Sequence, residues 1–495
     1  MVVPGIYVQE QQYNLNALSI DNRCLTAFAG IAEYGPLNQP VLIKSFDEYL
    51  KVFGGFDTAG VLPCSVFSYF RCGGKECVIV RVADKDTIKN AVYKIKTQRG
   101  HIKFTAKTPG KWGNYIVISI WQEKDNYISI TLNYKAKKES FIHLSLDSKN
   151  ERFIENIINE NSLLCDVKCG GQLDSLQPLF MKTFYGGTDG IAELNASDFI
   201  GHYDGLTSYE GIGCFESRDD ISLIAVPDLM WLKDKNDIYA VQNAMVTQAE
   251  RFPGRFAILD IPEKLDVVEA SDWAKKINTA YGAIYYPFID VTDPLDKTGI
   301  ETIRIPPSGG VCGCIAASDG EKGVYHAPAN CLIEGAVGIS QSITSGENEM
   351  LCSNRINCLK YFPGRGVKVW GAKTLSCDKE WEFINVRRTF SRVCSSLKEG
   401  TQWAVFEPND KKLRKRLVRQ VSGFLLDLWR EGYFAGATPE QGFYVKCDEE
   451  LNPPENIDAG ILTFEVGIAI VRPVEFFKIM LTAQKEGASV YLNEI

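Results

Sequence analysis

Between residues 221 and 290 the chain alternates short apolar runs with helical stretches, and this alternation limits the possible folds more than any other feature. The apolar runs are typical of buried strands: "ISLIAVPD" (221–228), "RFAILDIP" (255–262) and "GAIYYPFID" (282–290). Helices are predicted between them, near 236–251 and 265–279. Strands that alternate with helices of this length pair in parallel, so the sequence predicts an α/β domain with a mostly parallel sheet.

The N-terminal part shows the same pattern. Strands are predicted at "TAFAGIAE" (26–33), "PVLIK" (40–44) and "ECVIVRVA" (76–83). Ser45 and Glu48 are spaced as a capping box, and a second helix is predicted around Leu62–Arg71, before Gly73-Gly74.

Residues 100–146 change to a strand-rich pattern. Four runs alternate with period two and are rich in β-branched and aromatic residues: "HIKFTAK", "YIVISIW", "YISITLNY" and "FIHLSLD". The sequence therefore predicts a β-rich insertion within the α/β domain.

The C-terminal region is predicted to hold two amphipathic helices followed by strands. Apolar residues recur at helical spacing in two groups: Val386, Phe390, Val393 and Leu397, then Leu413, Leu417, Val421, Phe424 and Leu428. Asn409 or Asp410 can cap the second helix, and strands are predicted at 441–448, 461–471 and 475–484. Both chain ends are short and extended, as expected of frayed tails or of strands lent to another chain.

Length and charge exclude several classes of protein. With 495 residues the chain is expected to form two to four domains. Its formal net charge of −8 argues against general nucleic-acid binding. The start lacks the pattern of a secretory signal and no long apolar run occurs, so we expect a cytosolic origin and no membrane anchor.

The cysteines form neither a disulfide framework nor a metal motif. There are 15 cysteines and 4 histidines, and no Cys-x-x-Cys pair occurs. We therefore expect free thiols that act as small apolar side chains, with no metal and no cofactor.

One segment, "GRGVKVWGAKT" (364–374), approaches a phosphate-binding P-loop. Glycines at 366 and 371 have the right spacing, but Ala372 stands where the lysine belongs and Lys373 lies one position late. Because the intervening valines and tryptophan favour a strand, the segment predicts a turn followed by a strand.

A hydrolase site is also weakly supported. Asp319 and His326 could in principle pair near Ser308, but loop residues explain these three equally well. No serine-hydrolase elbow and no zinc-protease motif occurs. The sequence predicts no catalytic residue.

Ten segments carry a resemblance to a known family. They are "PGIYVQE", "TAFAGIAEYGPLNQPVLIKSFDEYLKVFGG", "TAKTPGKWGN", "GGTDG" (186–190), "RIPPSGGVCGCIAASD", "GVYHAPAN", "FPGRGVKVWGAKTLS", "WEFINVRRTF", "EGTQWAVFEPND" and "LNPPENIDAG". In these segments, their order and their near end-to-end span, the chain resembles the contractile tail sheath proteins, which form the outer cylinder of contractile phage tails and related injection machines. The cysteine content, for example Cys312 and Cys314, departs from the family pattern.

The resemblance implies a structural subunit rather than an enzyme. Such a subunit polymerises around an inner tube in a metastable extended state and contracts to drive the tube through a target envelope, without nucleotide hydrolysis. The implied partners are copies of the chain in stacked hexameric rings, the inner tube protein, and the baseplate and terminal cap proteins. Neither nucleic acid nor direct membrane insertion is implied. Assembly is expected in the cytoplasm, as part of a phage tail or a phage-tail-like particle that can be released.

The resemblance also implies a division into domains. The expected boundaries are an N-terminal linking arm at 1–20, a discontinuous α/β sheath domain at 21–90 and 190–380, a β-rich inserted domain at 91–189, an inner, tube-facing domain at 381–485, and a C-terminal linking arm at 486–495. Strand exchange between subunits is expected at Ile6, Tyr7, Val8, Val490, Tyr491 and Leu492.

A dense basic cluster opens the helix predicted after Asp410. Contact with the tube is expected at Lys411, Lys412, Lys415, Arg416 and Arg419. These charges oppose the helix macrodipole at its N-terminus, so they suggest a partner outside the subunit. The competing interpretation is a solvated face with partners in the same subunit, such as Glu407 or Asp427.

Two other functions remain open from the residues alone. One is a cytosolic α/β enzyme with an unrecognised site, and the other is a non-contractile scaffold protein of a large assembly.

Overall fold

The structure is a computed structural model that describes residues 18–20, 22–57, 60–97, 99–123, 127–173, 176–201, 209–296, 298–475, 479–484 and 487–492. The chain divides into two compact units. The larger comprises Cys24–Ala317 and Pro328–Ser376, and the smaller comprises Ser318–Ala327, Cys377–Ile495 and the residues before Cys24. Helices and sheets are mixed, which confirms the predicted fold class.

The helices and strands are numbered in chain order. The helices are α1 Phe46–Phe53, α2 Leu62–Arg71, α3 Ile154–Asn161, α4 Ala196–Ile200, α5 Lys235–Arg251, α6 Val267–Ala274, α7 Ser308–Lys322, α8 Ser345–Ser353, α9 Ile384–Gly400, α10 Lys411–Arg430, α11 Pro439–Gly442 and α12 Pro454–Asp458. The strands are β1 Thr26–Gly30, β2 Val41–Ile43, β3 Cys77–Arg81, β4 Val92–Lys96, β5 Gly100–Ala106, β6 Val117–Gln122, β7 Ile128–Tyr134, β8 Lys137–Leu144, β9 Cys165–Gly171, β10 Leu179–Thr183, β11 Leu223–Ala225, β12 Phe256–Asp260, β13 Gly282–Tyr286, β14 Ile289–Thr292, β15 Thr302–Ile305, β16 Ala336–Ile339, β17 Ile356–Phe362, β18 Gly366–Trp370, β19 Phe443–Lys446, β20 Glu465–Ile468, β21 Ile479–Gln484 and β22 Gly487–Leu492.

The larger unit is built on an eight-stranded sheet with the order β18-β17-β13-β12-β11-β1-β3-β2. All pairs from β17 to β3 are parallel, and the edge strands β18 and β2 are antiparallel to their neighbours. The inner strands β1, β3, β11 and β12 are buried along their whole length, as apolar runs covered on both faces require. The predicted mostly parallel sheet is confirmed.

The strand order reverses between β1 and β11, because the chain continues from β1 towards β3 on one side and from β11 towards β12 on the other. In α/β proteins the carboxyl ends of such strands border a crevice that commonly holds a ligand. Here the carboxylate of Asp228 fills it and accepts hydrogen bonds from the amides of Ile31 (2.6 Å) and Val61 (2.5 Å). A Cβ atom at Gly30 would collide with this carboxylate, so glycine is needed there.

A second buried carboxylate lies at the end of β12. Asp260 accepts a 3.0 Å hydrogen bond from the backbone amide of Ser308, the first residue of α7. Burial raises the pKa of both Asp228 and Asp260 to about 7, although the hydrogen bonds that they accept act in the opposite direction.

The β-rich insertion consists of two antiparallel sheets, β10-β6-β7-β8 and β4-β5-β9. Apolar side chains from both sheets share one core, which includes Ile102, Phe104, Ile118, Ile130 and Phe184. All four predicted strand runs of 100–146 form strands, within a few residues of their predicted bounds.

Two buried charged residues join the insertion to the eight-stranded sheet. Glu33, just after β1, accepts hydrogen bonds from the Tyr134 hydroxyl and from Lys135 at the β7–β8 turn. Arg81, at the end of β3, donates from Nη1 to the carbonyl oxygens of Gly35 (3.1 Å) and Pro109 (2.8 Å). Charged groups this deeply buried are stable only when ion pairs or hydrogen bonds satisfy them. Glu33 and Arg81 therefore favour a single position of the insertion on the eight-stranded sheet.

The smaller unit packs α9 against α10. Its core includes Val393, Leu417, Val421, Leu425 and Tyr433, so the two predicted amphipathic helices are confirmed. A buried ion pair between Arg388 of α9 and Asp319 is bidentate. Two short antiparallel sheets, β19-β20 and β21-β22, complete this unit.

Several predicted boundaries are wrong. The run at 282–290 is two strands in different sheets, because Pro287 has no amide hydrogen to continue the ladder. The helix predicted at 265–279 is shorter and begins after its cap, Asp266. Glu48 accepts a hydrogen bond from the Lys44 amide (2.7 Å) rather than from the Ser45 amide, so the predicted capping box is only half formed.

The glycine-rich segment is a turn and a strand, as predicted. The turn precedes β18, which pairs antiparallel with β17. The Lys373 amide donates to Asn357 Oδ1 at 2.7 Å, and Asn357 donates back to the Lys373 carbonyl at 2.8 Å. The backbone amide of Lys373 is therefore hydrogen-bonded to a side chain of β17 and does not face a phosphate site.

The buried carboxylates predict how stability depends on pH. Because the folded-state pKa of Asp228 lies above its unfolded value of about 3.9, its contribution is largest below pH 4 and is lost as pH rises through 7. Between pH 5 and pH 8 this residue alone should reduce the free energy of unfolding by about 2–3 kcal/mol. The neighbouring Tyr49 and Cys64, whose pKa values burial raises, stay neutral over this range.

Urea unfolding of the unassembled subunit tests this expectation. Asp228→Asn should lower stability at pH 5, because one amide loses its acceptor, and its decrease from pH 5 to pH 8 should be smaller than that of the wild type. Exposed Asp272→Asn is the matched control and should leave the pH dependence unchanged. If the free energy of unfolding changes equally with pH in the wild type and in Asp228→Asn, this carboxyl does not titrate between pH 5 and pH 8.

Candidate assembly interface

Helix α10 presents a basic face on its first turns. Asp410 caps the helix and accepts a 2.7 Å hydrogen bond from the Leu413 amide, which selects one of the two predicted caps. Leu413, Leu417 and Val421 are buried, so the other side of the helix is turned outward. All five residues predicted to contact a tube lie on exposed positions of this helix: Lys411, Lys412, Lys415, Arg416 and Arg419.

Two of the five have contacts within the subunit. Lys411 forms a 2.8 Å ion pair with Glu449, and it lowers the pKa of that carboxyl. The guanidinium of Arg416 lies 4.1 Å from the centroid of the Trp403 ring. The acidic residue that pairs with Lys411 is therefore Glu449, and not Glu407 or Asp427 as the sequence suggested. Asp427 pairs with Arg430 instead.

The other three cations form an unpaired group. Within the described residues, Lys412, Lys415 and Arg419 make no ion pair. They lie three, four and seven positions apart and so share one side of α10. Because a positive charge in the first turn of a helix costs roughly 0.3–1 kcal/mol when exposed, Lys412 adds no stability to the subunit at its position.

An exposed apolar turn precedes the basic face, and the sequence did not predict it. The Glu407 amide donates to the Ala404 carbonyl at 3.3 Å, and Val405 (φ −69°, ψ 131°) and Phe406 (φ 68°) occupy the two central positions. These angles indicate a type II turn, whose second central position favours glycine. A phenylalanine there costs on the order of 1–3 kcal/mol.

The side chains of this turn point away from the subunit. Phe406 is 103% exposed and Val405 is 61% exposed. In the sequence, Val405 and Phe406 end the apolar run 403–406, which lies in the family segment "EGTQWAVFEPND" and is followed by Glu407 and Pro408. This pattern is typical of a loop and does not indicate that the two side chains are exposed.

The residues predicted for strand exchange are only partly described. Ile6, Tyr7 and Val8 lie outside the described residues. Val490, Tyr491 and Leu492 lie in β22, which pairs antiparallel with β21. Exchange between subunits therefore stays a prediction.

A small sheet in the same unit has open edges. Strands β19 and β20 pair with each other, and in the described part of the chain neither has a second ladder partner. Such edges can accept strands from other chains.

The residues weighed for catalysis have other contacts. Asp319 is paired with Arg388, and the aromatic ring of Tyr325 lies 4.4 Å from the His326 ring. The Ser308 amide is bonded to Asp260. None of the 15 cysteines is in a disulfide, and most are buried.

The described residues contain no group of histidine, cysteine and acidic residues suited to a metal ion. None of their helices is long and apolar enough to span a membrane.

Comparison with known proteins covers most of the chain. A family model described as the phage tail sheath protein central domain matches residues 215–375, and one described as the phage tail sheath C-terminal domain matches residues 376–484. A prophage protein of Pseudomonas aeruginosa (strain UCBPP-PA14), named as a major tail sheath protein, is 26% identical over 266 residues, which are 52% of this chain and 66% of that protein. The tail sheath protein of Burkholderia phage BcepMu is 26% identical over 273 residues, 51% of this chain and 54% of the relative.

A solved structure shares the fold over nearly the whole chain. It is the sheath complex of PVC, an extracellular contractile injection system, in the contracted state, with a TM-score of 0.60 and 23% identity over 98% of this chain and 99% of that one. The sequence alignments span between half and two thirds of the first curated relatives, whereas the structural alignment is almost complete. Because the two adjoining family models together match more than half of its residues, the chain belongs to the phage tail sheath family.

Proposed function

We propose that this chain is the sheath subunit of a contractile tail or injection machine. It polymerises around an inner tube in a metastable extended state and then contracts, driving the tube through a target envelope. The observation that carries the proposal is the uninterrupted match of residues 215–484 to the two sheath domain models. The near-complete structural alignment with a contracted sheath supports it.

The energy for contraction would come from the lattice. Each subunit exchanges one set of contacts with its neighbours for a more stable set, and the difference is summed over many subunits. The subunit must then move as rigid bodies joined by flexible links. The buried contacts of Glu33 and Arg81 support this requirement, because they fix the insertion on the eight-stranded sheet.

The partners follow from this role. They are copies of the chain in a helical assembly of stacked hexameric rings, the inner tube protein, and the baseplate and terminal cap proteins. The particle would assemble in the cytoplasm and act outside the cell of origin. Nucleic acid and membrane lipid are not among its expected partners, and neither a cofactor nor an enzymatic reaction is needed.

Neighbouring subunits would be linked by exchanged strands. The arms at 1–20 and 486–495 would supply the strands, through Ile6, Tyr7 and Val8 at one end and Val490, Tyr491 and Leu492 at the other. The open edges of β19 and β20 are suitable acceptors. Main-chain hydrogen bonds of this kind survive a rotation of the subunits when the roots of the arms are flexible.

The tube would contact the exposed basic face within the inner domain, residues 381–485. Lys412, Lys415 and Arg419 have no ion-pair partner in the described structure, and Lys411 and Arg416 flank them. Contact between opposite charges at a solvated surface is reversible and weakened by salt, which suits a grip that must release during contraction.

Co-expression with the inner tube protein of the same particle tests the proposal itself. Electron microscopy should show cylinders of uniform diameter built around tubes. If the subunit remains monomeric although intact tubes form in the same sample, the sheath role is contradicted.

Deletion of residues 1–12 tests the arms. We expect a folded, soluble subunit that forms no cylinders, because the strand that links it to its neighbour is gone. Gln11→Ser with Gln12→Ser is the control, since it alters the arm but keeps its apolar residues, and it should assemble normally. Cylinders of ordinary length from the deletion variant would rule out N-terminal linkage.

Charge reversal tests the tube contact. Lys412→Glu, Lys415→Glu and Arg419→Glu together should leave a folded subunit that binds preassembled tubes at least about tenfold more weakly at low salt, as lost charge complementarity implies. The matched control reverses Lys94, Lys103 and Lys168 of the insertion, with the same change in net charge. Normal binding by the α10 variant, or an equal loss in the control, would place the contact elsewhere.

A further inference from the structure

The exposed turn before α10 is the strongest unexplained feature of the described surface. Phe406 is fully exposed, its backbone is in the left-handed region, and Val405 beside it is also exposed. An isolated apolar side chain on a surface needs no explanation, but here two are adjacent, and Phe406 occupies a position where glycine would be less strained.

We propose that the Val405–Phe406 turn is an apolar anchor that inserts into a recess on the inner tube. The proposal rests on the sheath function above and adds a second component to the tube contact. The basic face would supply long-range attraction, and the anchor would supply burial of apolar surface and a fixed register.

The turn is held rigidly by its neighbours. The Trp403 indole donates a 2.8 Å hydrogen bond to Gln420 Oε1, and Gln420 Nε2 donates to the Gly400 carbonyl at 3.4 Å. Arg416 covers the Trp403 ring. The backbone leading into the turn therefore loses little conformational freedom on binding, because these contacts already hold it.

The same contacts connect the turn with the basic face. Arg416 lies between Lys412 and Arg419 on one side of α10, and its guanidinium reaches the loop that carries Phe406. A partner that covers the turn therefore meets the unpaired cations as well. The fitting surface is acidic and has an apolar recess, and under the proposed function that surface belongs to the tube.

The energetics of Phe406 separate binding from folding. In the subunit alone, glycine at this position would relieve backbone strain and remove an exposed apolar group, so Phe406→Gly should unfold at an equal or higher urea concentration. Burying a phenylalanine side chain contributes enough free energy that its loss should weaken tube binding by about tenfold to a hundredfold. A defect in folding cannot produce this combination.

The experiment measures co-sedimentation of full-length subunits with preassembled tubes at low and high salt. Phe406→Gly should reduce binding by a similar factor at both salt concentrations, whereas the triple reversal of Lys412, Lys415 and Arg419 should reduce it mainly at low salt. Ile300→Ala, which truncates an apolar residue of the other unit that is 80% exposed, should bind as the wild type does.

The outcomes distinguish the anchor from the function on which it rests. Wild-type binding by Phe406→Gly, with weakened binding by the triple reversal, would overturn the anchor and leave the sheath function standing. Normal tube binding combined with loss of sheath–sheath assembly would identify a second copy as the occupant and also overturn the anchor. If the wild-type subunit itself does not bind tubes, the proposed function fails first.

Discussion

The arrangement of the larger unit depends on the buried carboxylate of Asp228. It lies where the strand order reverses, and it holds the amide that follows β1 and the amide that precedes α2. In many α/β proteins this crevice receives an anionic ligand from solution. Here the chain supplies a carboxyl group of its own, so the crevice is filled and the first strand, the second helix and the loop after β11 are fixed together. Asp260 likewise accepts a hydrogen bond from the amide of Ser308 and so fixes the start of α7 against the end of β12.

The fixed sheet allows the insertion to be carried as part of one body. Glu33 and Arg81 follow directly from β1 and β3, so the strands that organise the sheet also position the insertion. Buried charged contacts of this kind are destabilised strongly when one partner is lost, which favours a single arrangement over a hinge. A subunit that transmits force through a lattice needs such rigidity. The rearrangement during contraction would then occur at the contacts between subunits.

The sequence predicted those features that depend on local periodicity. In these features the spacing of apolar residues along the chain indicates which side chains are buried. They are the strand–helix alternation at 221–290, the strand runs of the insertion, and the apolar side of α10 formed by Leu413, Leu417 and Val421. What it could not predict depends on contacts far apart in the chain. Asp228 lies 197 residues from Ile31, and nothing local to either residue indicates their hydrogen bond.

The candidate interface shows the same division. A run of basic residues is visible in the sequence, but which cations remain unpaired depends on Glu449 and on Trp403, which only the fold brings close. The exposure of Phe406 could not be predicted either, because the residue types of a loop do not determine which of its side chains are buried. Its positive φ and full exposure are properties of the folded chain.

Contraction without a chemical fuel is the central claim, and particle dimensions measure it most directly. Sheaths assembled around tubes would be treated with a nucleotide-hydrolysing enzyme, exposed to a brief urea or acid pulse, and compared by electron microscopy before and after. The account predicts cylinders that become shorter and wider in a single step, with tubes protruding from one end. Cylinders that keep their length, or that shorten only when nucleotide is restored, would contradict it.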